Sequence, residues 1–135
     1  MMKLNSKTKF ALISICFIFS VVGFMIRLPS YFSHLDKELH ALFYFLAAAF
    51  LNLIFWNTNI AKHILIFIAL FLFGITIEYA QEYSNKLFHK KIHGRFDIED
   101  VHANLKGLVM FSIVWILHMS ILFAYNKLKH RNRAR

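Results

Sequence analysis

Four apolar blocks, each close to the length that crosses a lipid bilayer, set the limits on what this 135-residue chain can fold into. They run approximately over 10–26, 40–56, 63–79 and 105–125, with short polar stretches between them. A helix rises about 1.5 Å per residue, so about 20 predominantly apolar residues span a hydrocarbon core of about 30 Å. Inside hydrocarbon the backbone amides must bond to one another, and a helix satisfies them within one segment. Phe, Leu and Ile fill the blocks without the alternation that a transmembrane β-barrel requires. The sequence therefore predicts an all-α integral membrane bundle of four transmembrane helices, built as a single domain over 1–135. The composition agrees: 59% of the residues are hydrophobic, more than a soluble domain usually carries. Punctuation is sparse, with one proline and four glycines, and no internal repeat breaks the pattern.

The first block has a basic start (Lys3, Lys7, Lys9) and an apolar core, as a signal peptide would. The run is long, however, and the segment Val22–Arg27 has no small-x-small cleavage site, so it reads as an uncleaved first span.

The formal charge of +9 is distributed unevenly. With four spans, both termini share a side with the turn near Asn57–Lys62. That side carries nine basic residues, among them Lys62, Lys127, Lys129, Arg131 and Arg133, and no acid. The other side holds the 27–39 and 80–104 connections, with seven basic residues and all seven acids. Basic residues concentrate on the cytoplasmic side of short-looped membrane proteins, which places both termini in the cytoplasm. The basic C-terminal tail then reads as an anchor to anionic lipid headgroups, with no nucleic-acid partner. The one cysteine, Cys16, lies mid-block, with no second cysteine and no metal-ligand spacing around it.

Three polar clusters interrupt the hydrophobic pattern, and this topology sends all of them to the outer face. Asp36, at the N-cap position of the second span, recurs with His40 and Tyr44 at intervals of four, so the three share one helix face, beside Lys37. Glu78 and Gln81, three apart, share a face at the end of the third span. Arg95 precedes a stripe of Asp97, Asp100, Asn104 and Gly107 leading into the fourth. Ionisable groups at a bilayer margin are costly unless they pair or face a polar cavity. Turning the three stripes inward brings His40, Glu78, Arg95, Asp100 and Asn104 into one pocket.

The pattern Asp36-Lys37-x-x-His40, then Glu78-x-x-Gln81, then Arg95-x4-Asp100-x3-Asn104-x-x-Gly107 resembles the VanZ-like family of small bacterial membrane proteins. That family is named for a member associated with resistance to the glycopeptide teicoplanin. The resemblance covers 36–107, although the connection between Gln81 and Arg95 is longer here than the family pattern and rich in Lys and His. It implies a multi-pass protein of the bacterial cytoplasmic membrane, acting within the cell envelope, and it supplies no mechanism.

Each residue has a functional and a structural reading. His40 is a candidate acid or base, its ordinary pKa lying near neutrality, or a hydrogen-bonded interface histidine. Glu78 and Asp100 are candidates for a proton-sharing or metal-binding carboxylate pair, or for ion pairs with Arg95 or Lys37 that fix packing. Asp97 fits a helix cap, and Asn104, Gly107 and Gly74 fit interhelical bonding and close packing. His63 and His118 fit packing roles. The spacings of His34, His89, His93 and His102 match no zinc signature, so no metal site is expected, and no cofactor is indicated. Three functions remain: an outer-leaflet enzyme acting on a lipid-linked or cell-wall precursor through His40, Glu78 and Asp100; a non-catalytic protein binding a lipid, antibiotic or envelope partner; and a small transporter. The last would need several copies, because four unbroken spans make a narrow bundle.

Overall fold

The computed structural model describes residues 5–26, 35–55, 58–89 and 95–133. They form four α-helices: α1 (Ser6–Met25), α2 (Asp36–Ile54), α3 (Ile60–Leu87) and α4 (Ile98–Arg133). No strand occurs among the described residues. All four helices are long and apolar enough to cross a membrane. Lys3, Arg27, His34, Asn57 and His93, named in the sequence reading, lie outside the described residues.

The helices overrun the apolar blocks because capping chemistry, not hydropathy, decides where they start. The Asn5 side chain accepts from the Thr8 amide at the head of α1, and Asn59 does the same for Ala61 at the head of α3. At α4, Asp97 accepts from the Glu99 amide, which agrees with its expected capping role. One boundary differs. Leu35, not Asp36, is the N-cap of α2, and no side chain caps this helix. Asp36 falls instead in the first turn, where the positive end of the helix dipole still favours it. Its carboxylate turns toward His40, with Oδ1 3.9 Å from Nε2. α4, at 36 residues, is about 54 Å long, so its basic last turns extend beyond any hydrocarbon core.

α2 and α4 make the most intimate pair. Gly107 explains the approach: a Cβ there would overlap the Ala41 carbonyl of α2. α3 closes the triangle, and Tyr44, Ala48, Leu70, Leu108, Phe111 and Trp115 fill the middle. α1 has no buried residue and leans on α3, with the Phe17 and Phe73 rings 5.4 Å apart. Two tethers fix its ends. Gln81 Nε2 donates to the Phe24 carbonyl at 2.7 Å, and Lys9 Nζ lies 5.7 Å from the centre of the Phe55 ring.

The distribution of polarity is the reverse of a soluble domain's. Phe10, Phe19, Leu65 and Ile121 are mostly exposed, while His40, Asn52, His63, Glu78, Gln81, Asp100 and Asn104 are buried. A broad apolar exterior over a polar interior is stable where the surrounding medium is lipid.

Candidate functional site

The polar interior divides into two clusters, one at each end of the α2–α3–α4 triangle. The first gathers where α2 and α4 begin and α3 nears its end. His40, Tyr44, Glu78, Asp100 and Asn104 are all buried there. The i, i+4 spacing of α2 brings Asp36, His40 and Tyr44 onto one inward face, and α4 answers with Asp100, Asn104 and Gly107.

Asn104 organises the centre. Its Oδ1 lies 2.9 Å from His40 Nδ1. A carbonyl oxygen only accepts, so Nδ1–H donates, and His40 Nε2 is left facing Asp36. The Asn104 amide nitrogen points toward Gly74 of α3. A Cβ at Gly74 would sit 2.7 Å from that nitrogen and 2.8 Å from Tyr44 Oη. Glycine is thus what lets α3 close over the Asn104 amide and the Tyr44 ring. Phe24 of α1 covers the other side, its ring 4.9 Å from that of His40.

Glu78 is fully buried. Its Oε2 accepts from the Asp97 amide at 3.1 Å, which ties α3 to the start of α4. Its Oε1 has no hydrogen-bond partner, and neither has Asp100 Oδ1; among the described residues these are the two buried side-chain polar atoms left so. Buried polar atoms in folded proteins are paired in the great majority of cases. Two such atoms in one small region leave open acceptor positions there.

The cluster is smaller than the sequence suggested. Arg95 is exposed rather than pointing into the pocket, and its charge acts on Glu82. Lys37 pairs with Glu99, both about half exposed, at the rim. Burial explains why: a guanidinium or ammonium reaches water from these helix ends, whereas the inward positions accept only uncharged or compact groups. Gln81 is buried but serves as the tether to α1. The structure also assembles a group the sequence did not indicate. One donor atom each from Asp36, His40 and Asp100 lie within 4.8 Å of one another. The sequence placed Asp36 on the His40 face and Asp100 in the same pocket, but no spacing along the chain marked the three as a set, because Asp100 comes from a helix 60 residues on from His40.

The second cluster, at the opposite end, centres on His63, read from sequence only as a packing residue. Its Nδ1 lies 3.2 Å from Asn52 Oδ1 and its Nε2 3.1 Å from Ser112 Oγ. The ring stacks on Trp115, centroids 4.3 Å apart and nearly parallel. Asn52 Nδ2 donates to the Ala48 carbonyl. The available signal was Asn52, a lone amide deep in an apolar block, which continues the Asp36-His40-Tyr44-Ala48 register by one more turn.

Together the helices and their buried polar clusters define a small multi-pass helical membrane protein with a polar site at one end of the bundle. No family model matches the chain, and no curated protein or solved structure shows significant similarity to it.

Proposed function

We propose that the chain is a VanZ-like protein of the bacterial cytoplasmic membrane, with its termini in the cytoplasm and the His40–Glu78–Asp100 end facing outward. At that end the pocket acts on the polar head of a lipid-linked or cell-wall component of the envelope. The observation that carries this reading is the pair of buried carboxylate oxygens without partners, Glu78 Oε1 and Asp100 Oδ1, beside a histidine held by one ring nitrogen. A packing device would have its polar atoms satisfied; acid–base chemistry needs lone pairs left for a substrate. The site lies at helix ends, the depth at which a lipid-linked substrate presents its headgroup while its chains stay in the bilayer. Charge supports this orientation: the described residues of the opposite end carry Lys7, Lys9, Lys62, Lys127, Lys129, Arg131 and Arg133 and no acid.

A second reading, non-catalytic binding of an anionic headgroup or glycopeptide, draws on the exposed Arg95 and half-exposed Lys37 at the rim. One experiment separates the two. The chain is reconstituted in nanodiscs with a lipid-linked cell-wall precursor, and loss of the precursor is followed for wild type, His40→Ala, Glu78→Gln and Asp100→Asn. Catalysis predicts turnover by wild type and a loss of 100-fold or more in each variant. Binding predicts retention of the precursor without turnover, sensitive to Arg95→Glu and insensitive to Asp100→Asn. Labelling of single cysteines at Glu38 and Lys127, in a Cys16→Ser background, tests the orientation: opposite accessibility is expected, with Glu38 outside.

A further inference from the structure

We infer that Asp36, His40 and Asp100 form a binding site for a divalent transition cation. Their donor atoms already lie within 4.8 Å of one another. Ion–donor distances of about 2.0–2.2 Å set tetrahedral donors about 3.3–3.6 Å apart, so the three side chains would draw in by roughly an ångström around an ion. Three further observations point to a ligand there. Asp100 is 8% exposed and its Oδ1 has no hydrogen-bond donor. His40 donates its Nδ1 proton to Asn104 Oδ1, which leaves Nε2 as the ligating nitrogen, on the side of Asp36. This is the outer arrangement that metal-bound histidines commonly show, one ring nitrogen on the ion and the other fixed by an oxygen acceptor. Finally, the neighbouring charges do not balance. Glu78, fully buried, lies in the field of Asp100 and His40, so three acids share one imidazole, while Lys37, the one cation among the described residues acting on Asp100, stays half exposed at the rim and is also paired with Glu99. Buried carboxylates need compensation, and a divalent ion supplies it at one point.

The donor set selects the ion. One imidazole nitrogen with carboxylate oxygens suits Zn²⁺ or Mn²⁺, whereas Mg²⁺ prefers oxygen and its own water. Three protein ligands leave coordination positions open, and Glu78 Oε1 stands nearby to hold a water or a substrate proton.

The test uses the full chain in nanodiscs, purified through a tag without histidine and stripped with EDTA, then titrated with Zn²⁺ and Mn²⁺ while bound metal is counted by elemental analysis. One ion per chain is expected, with Mg²⁺ failing to compete at a hundredfold excess. His40→Ala and Asp100→Asn should each weaken binding by at least 100-fold. Asp36→Asn, at a side chain 40% exposed, should do so by at least 10-fold, and Asn104→Ala by 10- to 100-fold with the protein still folded by circular dichroism. Zinc that stays at full stoichiometry in the folded Asp36→Asn and Asp100→Asn variants would place it on other histidines and overturn the assignment. Absence of stoichiometric metal in wild type would overturn it too. Metal is counted without any lipid substrate, so this result stands or falls apart from headgroup turnover.

Discussion

The two buried polar clusters occupy the same three helices, about 18 Å apart along α2, yet they are built to opposite rules. At His63 both ring nitrogens meet neutral partners on α2 and α4, the ring face is covered by Trp115, and no buried side-chain polar atom among the described residues is left over. At His40 one ring nitrogen is fixed, Asp36 and Asp100 stand close by with Glu78 in their neighbourhood, and Asp100 and Glu78 each keep an oxygen without a hydrogen bond. The first arrangement locks the register of α2 against α3 and α4. The second gives up stability to keep polar groups available. A satisfied network rigidifies a bundle; an incomplete one is stable only if something else completes it.

Three substitutions test that contrast. The largest effect is expected at Gly107, which lies between the clusters and serves both. Gly107→Ala pushes a methyl into the Ala41 carbonyl, a backbone atom that moves only if α2 moves, so a loss of about 3 kcal/mol is expected on unfolding in mixed micelles. Both clusters should loosen together. His63→Ala comes next. It removes two hydrogen bonds and a stacked ring, and leaves the Asn52 amide oxygen without that partner, for a loss of about 2 kcal/mol. Metal binding and headgroup turnover should be unchanged in the folded fraction. Asp100→Asn has the smallest effect on stability and the opposite sign. With EDTA present, removal of an uncompensated buried charge should raise stability by about 1 kcal/mol while abolishing ion binding. If Asp100→Asn destabilises as His63→Ala does, the contrast fails and the carboxylate is a packing element.

How much of this was legible in the sequence varies by residue. The inward stripes were readable because helical periodicity is local: Asp36, His40 and Tyr44 at intervals of four, and Asp100, Asn104 and Gly107 on α4, share faces in any helix. The cap at Asp97 and the close packing at Gly107 and Gly74 were readable for the same reason. Arg95 was misplaced because it precedes α4, outside the helical register that turns Asp100 and Asn104 inward, and its long side chain is exposed. Gln81 shares a face with Glu78, but that face also meets α1, and no periodicity within α3 says which neighbour it will touch. Asn52, His63, Ser112 and Trp115 went unread as a group, since three helices each contribute residues that look like ordinary bundle filling.

Hydropathy and spacing alone therefore determined that the chain forms four long helices, that their ends differ in charge, and which side chains share a helix face. These properties depend only on neighbours within one or two turns. Which faces meet was decided by the tertiary structure. The approach of α2 to α4 at Gly107 sets Asp100 beside Asp36 and His40, and the closure of α3 over Gly74 brings Glu78 into their field. The rotation of one helix against another is an energy balance over the whole interface, and no stretch of sequence contains both sides of it.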